Sequence, residues 1–195
     1  MIEEALFEYI NQYAHLTETE WQAMSGLLTT RRMEKKELLA VENKPCTELI
    51  FTNKGYFRFF HHDTNGEEVT SDFYFAPTFI TSYTSFITGE PSFVNVQAME
   101  AMEVLVMKKM DLQALYLQYP GIERVGRLLA EMVAIASERH LFLLLNQTAE
   151  KRYKRLMEQQ PQYINTIPMQ YIASYLGITR ETLSRMRKNL YPRFF

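Results

Sequence analysis

Apolar residues at the start of the chain recur at helical spacing. Leu6, Tyr9, Ile10 and Tyr13 predict a helix over residues 4–15. Thr17 and Glu20 then form a T-x-x-E capping box, and Trp21, Met24 and Leu27 supply the apolar face of a second helix. From about residue 29 to residue 107 the period changes from helical to twofold. Short β-rich runs at 47–52, 56–62, 94–98 and 103–107 are separated by turn signals. Asp63-Thr64-Asn65-Gly66 reads as a hairpin turn, because Asn and Gly tolerate the positive φ such turns need. The returning strand alternates, with Val69, Ser71, Phe73 and Phe75 on one face and Glu68, Thr70, Asp72 and Tyr74 on the other. Six to eight short antiparallel strands predict a sandwich, jelly roll or small barrel, with the phenylalanines as its core.

The helical period then returns. Asp111 is placed as the cap of a short helix ending before Pro120, and a long helix follows over 120–145. Ile122, Val125, Leu129, Met132, Ala136 and Leu143 fall at alternating three- and four-residue steps, interrupted at Arg139, while Leu128, Ile135 and Phe142 form a second stripe. A helix apolar on two faces must be covered on two sides. A small β domain covers one side. A second copy of the same helix covers the other, which predicts a homodimer with Val125, Leu129, Met132, Ala136 and Leu143 along the dimer helix. Asn146-Gln147 break the pattern, and Thr148 caps a helix over 149–160 that Pro161 ends. The chain is therefore divided into 1–147, a β domain with its long helix, and 148–195.

The segment from Pro168 to Arg187 carries the most information. Pro168 opens a helix whose Ile172 and Leu176 face inward, and Ala173 is small where two helices cross closely. Gly177 sits where a left-handed turn residue is required, Ile178 packs beneath the turn, and Thr179 caps a second helix with Leu183 and Met186 inside. The outer face presents Arg180, Glu181, Ser184, Arg185 and Lys188. These offsets are those of a helix-turn-helix. Arg180 and Arg185 can each grip guanine O6 and N7 in a fork, and Glu181 can accept from a cytosine amino group. With Ser184 these are the expected base readers, and Gln170, Thr179, Thr182 and Lys188 are suited to phosphate.

Charge strengthens that reading. Residues 148–195 hold nine Lys/Arg against three acids, whereas residues 1–147 hold twelve against twenty. A +6 tail on a −8 body is suited to meeting a polyanion. Of the 195 residues only Cys46 is a cysteine, which excludes an internal disulfide and a four-cysteine metal or cluster site. No apolar run spans a membrane and the first residues lack the basic region of a signal peptide, so a cytoplasmic protein is expected.

The run Arg180-Glu181-Thr182-Leu183-Ser184-Arg185 after Leu176-Gly177-Ile178-Thr179 resembles the recognition helix of the Crp–Fnr family of bacterial transcription regulators. The resemblance covers essentially the whole chain and implies an α+β architecture. That architecture has an N-terminal antiparallel β-roll or jelly roll of the cyclic nucleotide-binding type, flanking helices, a long dimer helix and a C-terminal helix-turn-helix of winged-helix type. It further implies a homodimer that reads a near-palindromic operator in double-stranded DNA with helix 179–189 in the major groove. RNA polymerase and a small-molecule effector are the further partners it implies, with no membrane.

The chain departs from the family in three places. Cyclic-nucleotide-binding members carry a Gly-Glu start and an Arg-Ser/Thr-Ala end in a phosphate cassette. Here Thr81-Ser82-Tyr83-Thr84-Ser85 aligns with the start and Ser92 with the end, and both the glutamate and the arginine are missing. From Phe59 through Met107 there is no Lys or Arg but seven acids, so cyclic AMP or cyclic GMP is not expected to bind in the usual way. Thr81, Ser82, Tyr83, Thr84, Ser85 and Ser92 remain the candidate effector pocket. No cofactor or cluster is implied, since the oxygen-sensing branch needs four cysteines. Only residues 190–195 follow the recognition helix, where other members continue with wing strands, and Phe194-Phe195 is expected to pack on the helix-turn-helix.

Two rivals stand against this reading. One is a cupin-like metal protein or enzyme. His61 and His62 are adjacent on a strand and point to opposite faces, and no catalytic pattern accompanies them, so neither a metal site nor an enzyme is expected. The other is a scaffold that no longer binds DNA, against which the intact outer face of the last helix argues.

Overall fold

The computed structural model describes residues 1–190, the side chains of Gln162 and Leu190 excepted, so the expectation for Phe194-Phe195 lies outside the described residues. Two helices lead the chain, α1 (Ile2–Asn11) and α2 (Glu18–Ser25). The capping box forms as its spacing requires. Glu20 donates its backbone N–H to Thr17 Oγ1 at 3.3 Å, and Thr17 donates its own to Glu20 Oε2 at 2.9 Å.

Eight strands follow: β1 (Thr29–Met33), β2 (Leu38–Ala40), β3 (Glu48–Thr52), β4 (Tyr56–His62), β5 (Glu68–Phe75), β6 (Thr78–Ile80), β7 (Asn95–Ala98) and β8 (Met102–Lys108). They form two four-stranded sheets, ordered β1-β8-β3-β6 and β2-β7-β4-β5. Late strands thus pair between early ones, which makes a jelly roll of the antiparallel hairpins. Met33, Ile50, Phe57, Val96, Val104 and Val106 fill the roll. β8 is apolar on both faces, and Leu105 and Met107 point outward into a second cluster with Leu6 and Ile10 of α1 and Met24 of α2.

That second cluster is completed by α4 (Lys109–Gln118), through Leu112 and Leu115, and by the start of α5 (Pro120–Asn146), through Ile122 and Val125. Asp111 does not cap α4. Lys108 holds the cap position and Asp111 lies in the first turn, where its charge complements the helix dipole. A short helix between β6 and β7, α3 (Tyr83–Thr88), was not expected. Its six residues are too few to display a helical period.

The chain closes with α6 (Ala149–Gln159), α7 (Pro161–Thr166), α8 (Met169–Leu176) and α9 (Arg180–Leu190). Thr148 caps α6, accepting the Lys151 N–H at 3.3 Å. Pro161 ends α6 as expected but also opens α7, whose first turn needs no N–H from it.

The chain forms two compact units. The first is Met1–His61 with Phe73–Val133, and the second is His62–Asp72 with residues 134–195. The division therefore falls inside α5, and the expected boundary near 147 marks the end of that helix. The tip of the β4–β5 hairpin is counted with the C-terminal helices. This explains a departure from strict alternation in β5, where Thr70 is 3% exposed although it lies on the polar face. Along α5 every residue from 131 to 139 is exposed.

Candidate nucleic-acid interface

The last two helices are set by one turn. α8 ends at Gly177, whose φ of 69° and ψ of 34° are left-handed. Nothing lies within 4 Å of where a Cβ would stand, so glycine is required here for its backbone and not for space. The last carbonyl of α8, Leu176 O, accepts from the Arg152 guanidinium of α6 at 2.8 Å, a favourable placing of a cation at a helix C-terminus. Thr179 then caps α9, accepting the Thr182 N–H at 3.1 Å, with its hydroxyl 3.0 Å from that of Thr182. Ile172, Ala173, Leu176 and Leu183 are buried, together with Tyr153 and Leu156 of α6 and Tyr163 of α7.

With that side of α9 buried, the opposite side is free. Arg180, Glu181, Arg185 and Lys188 are exposed, and Ser184 and Thr182 are half-buried between them. Arg180, Ser184 and Lys188 follow each other at four-residue steps along α9, with Glu181 and Arg185 beside them. Gln170 is exposed in the first turn of α8 and Thr179 at the start of α9. All eight residues expected to meet DNA are thus on exposed or half-exposed positions of one two-helix frame.

The outer side of α8 has a partner that local sequence could not reveal. Ser174 Oγ accepts the backbone N–H of Thr70 at 2.9 Å and donates to the carbonyl of Glu68 at 3.3 Å. The next residue, Tyr175, packs its ring against His140 with centroids 5.8 Å apart. Burial pushes the Tyr175 hydroxyl up to about 12, the charge of Asp72 adds to this, and Arg152 opposes it. The hairpin itself is closed by Asp63, whose Oδ1 accepts the N–H groups of Asn65 and Glu67 at 2.8 and 3.0 Å. Those donors, Glu67 first, hold the Asp63 carboxyl below its ordinary range. Gly66 supplies the expected positive φ, 82°.

The candidate effector residues divide into two groups. Thr81, Ser82, Ser85 and Ser92 are buried, whereas Tyr83 and Thr84 are exposed on α3. The buried hydroxyls are engaged with one another and with backbone. Ser92 Oγ bonds Ser82 Oγ at 2.7 Å and Val94 O at 2.6 Å. Ser85 Oγ donates to Glu90 O at 2.5 Å and accepts from Cys46 N at 2.8 Å, and Thr81 Oγ1 donates to Glu48 O at 2.8 Å. Two cations near the Lys/Arg-free stretch are engaged within the roll domain. Arg58 is 1% exposed with its guanidinium 4.4 Å from the centre of the Phe60 ring, and Lys109 donates to Ile87 O at the end of α3 at 2.9 Å.

The expected dimer residues divide as well. Val125 is 5% exposed and Leu129 is packed against the same intrachain cluster, so both are spent within the chain. The apolar surface left on α5 begins at Met132 and continues through Ile135, Ala136, Phe142 and Leu145. Among the described residues no group of three His, Cys, Asp or Glu is placed to share a metal ion, and no helix is long and apolar enough to cross a membrane.

Residues 30–119 match the family described as the cyclic nucleotide-binding domain. No curated protein matches the chain. Solved structures match it over most of its length at low identity. A crp/fnr-family transcriptional regulator of Eubacterium rectale is 19% identical with a TM-score of 0.69, covering 91% of this chain and 84% of that one. FixK2 of Bradyrhizobium japonicum is 21% identical with a TM-score of 0.68 and 85% coverage of both chains. CLP of Xanthomonas campestris, a c-di-GMP-responsive global regulator, is 13% identical with a TM-score of 0.66, covering 90% of this chain and 92% of that one.

Proposed function

With residues 30–119 a cyclic nucleotide-binding domain and the chain as a whole in the fold of Crp/Fnr-family transcription regulators, we propose that it is a sequence-specific DNA-binding regulator acting as a homodimer, and not an enzyme. The observation that carries the reading is the exposed side of α9. Arg180, Glu181 and Arg185 stand there on a frame fixed by the left-handed Gly177 and the Thr179 cap. A helix held in this way can enter the major groove and offer two guanidinium forks and one carboxylate to base edges. Gln170, Thr179, Thr182 and Lys188 are exposed or half-buried on the same two helices and are suited to phosphate contacts that would set its register.

The apolar surface of α5 supports the dimer. Met132, Ile135, Leu141, Phe142, Leu144 and Leu145 are each more than 40% exposed in the single chain, an apolar surface that a second α5 covers. Two recognition helices then address half-sites about one helical turn apart, in the cytoplasm where bacterial DNA lies.

The roll acts as a scaffold, or as a sensor of something other than cyclic AMP bound in the usual way. The buried Ser82, Ser85 and Ser92 hydroxyls already have partners, and Arg58 is directed to Phe60. A cyclic phosphate would need donors and a cation released from these bonds.

The test is selection of bound sequences from random duplex DNA with the full chain near physiological salt. A recovered two-fold motif, lost on Arg185→Ala, is the expected result. Absence of enrichment, or an unchanged motif in Arg185→Ala, overturns the assignment of α9.

A further inference from the structure

The last turn of α8 is tied to three different elements by three consecutive residues. Ser174 Oγ holds the β4–β5 tip through the Thr70 N–H and the Glu68 carbonyl, at 2.9 and 3.3 Å. The Leu176 carbonyl accepts from Arg152 of α6 at 2.8 Å. Between them the Tyr175 ring lies against His140 of α5, with centroids 5.8 Å apart and planes tilted by 48°. Gly177 and α9 follow at once, so whatever fixes this turn also fixes the start of the reading helix. All these residues belong to the second unit, which holds α5 from residue 134 onward.

Of the three ties, only that of Tyr175 runs to the helix assigned to the dimer. His140 is half-buried, whereas every residue from 131 to 139 is exposed. At about 100° per residue, His140 stands about 140° around α5 from Ile135 and about 160° from Phe142. One side of α5 thus carries the exposed apolar residues Ile135 and Phe142, and the opposite side meets α8. In a dimer the path from one α9 to the other crosses both α5 helices and both Tyr175–His140 contacts. Its length is one that DNA can read. Successive base pairs stand about 3.4 Å apart, so moving each α8 by less than about 2 Å from its α5 changes the matching separation by a whole base pair. The 5.8 Å between the two rings is larger than that step.

We propose that Tyr175 is a positioning residue that sets the separation of the two DNA half-sites, by holding α8 at a fixed distance from the side of α5 opposite the dimer seam. The proposal rests on the reading of α9 as DNA-binding and of α5 as the dimer helix. It adds what makes the protein choose one separation. Reading helices joined loosely to a dimer seam accept half-sites over a range of separations, whereas helices held by a ring contact accept one. The Ser174 clasp and the Arg152 bond flank that contact and keep α8 from pivoting about it.

The test uses the full chain and duplexes that carry the half-site recovered by selection, once alone and twice at separations varied in single base pairs. The wild type is expected to prefer one separation. Tyr175→Ala should lower that preference by about two- to tenfold, the range an aromatic contact supplies, or displace the optimum, and bind the single half-site as before. His140→Ala removes the other ring from outside the helix-turn-helix and should act in the same way, so the test does not hang on the folding of one variant. Tyr175→Phe keeps the ring and should keep the wild-type separation. An unchanged preference in both alanine variants overturns the proposal. So does an equal loss on every duplex, the single half-site included, which would make the contact a plain support of folding. A change in Tyr175→Phe as large as in Tyr175→Ala would assign the effect to the hydroxyl, on which the charges of Asp72 and Arg152 bear, and overturn the ring contact. If the wild type binds the half-site but prefers no separation, the proposal falls alone. If no half-site is recovered, the DNA reading of α9 falls and the proposal with it.

Discussion

The carboxylate of Glu20 joins α2 to the start of α5, because its Oε1 accepts the backbone N–H of Gly121 at 2.7 Å while Oε2 closes the capping box with Thr17. One side chain thus satisfies donors at two helix N-termini. The Thr17 N–H first, then the Thr17 hydroxyl and the Gly121 N–H, hold its carboxyl below the ordinary range. A carboxyl lowered by folding stabilises fully above its unfolded value, and the contribution is lost as pH falls through the folded one. Glu20→Gln should lower the melting temperature at neutral pH, by an amount fitting loss of a cap worth about 1 kcal/mol. The gap from wild type should narrow below about pH 4. Thermal denaturation of both proteins across pH checks this, and a gap that stays constant into acid would show that the charge is immaterial.

Gly177 offers a purely conformational test. Space for a methyl group exists, so Gly177→Ala adds only the strain of a left-handed alanine, about 1–2 kcal/mol. Gly177→Asn should cost less, since Asn enters that region more readily. Chemical denaturation of the two variants gives the order, and equal losses would point to a steric cause instead.

Base reading and phosphate contact predict different signatures for neighbouring cations on α9. Arg185→Ala should cost about 1–3 kcal/mol on the selected operator and relax preference at one base position. Lys188→Ala should weaken all duplexes alike and reduce the salt slope by about one. Titrations at several salt concentrations separate the two, and interchanged signatures would reverse the assignments.

The apolar side of α5 predicts how assembly fails. Ile135 and Phe142 are 48% and 63% exposed, so Ile135→Glu or Phe142→Glu leaves the chain's own core intact. Each should shift sedimentation to the monomer and weaken binding to a two-half-site operator far more than to a single half-site. A dimer that persists in both variants would place the interface elsewhere.

Local pattern revealed those elements whose residues answer to near neighbours. β4 was legible from its turn and its apolar run, and α9 from the offsets of Gly177, Thr179 and Leu183. Thr148 and Thr17 were legible as caps because a cap acts within three residues. The burial of Thr70 was not legible, because its partner Ser174 lies 104 residues away. The same is true of Val125, whose heptad position points to a partner helix until α1 and α4 are seen to cover it. The serines near α3 read as a pocket for an outside ligand, and only their three-dimensional arrangement shows that they bond one another.

The peptide passes between the two units three times, at 61/62, 72/73 and 133/134. A C-terminal unit attached by one linker could be cut free or grafted to a different N-terminal unit as a continuous piece. This one cannot, because a fragment beginning at residue 134 lacks residues 62–72 and bares the side of α8 around Ser174 and Tyr175. Any transplant of the second unit must therefore carry residues 62–72 from the middle of the chain as well as its C-terminal part.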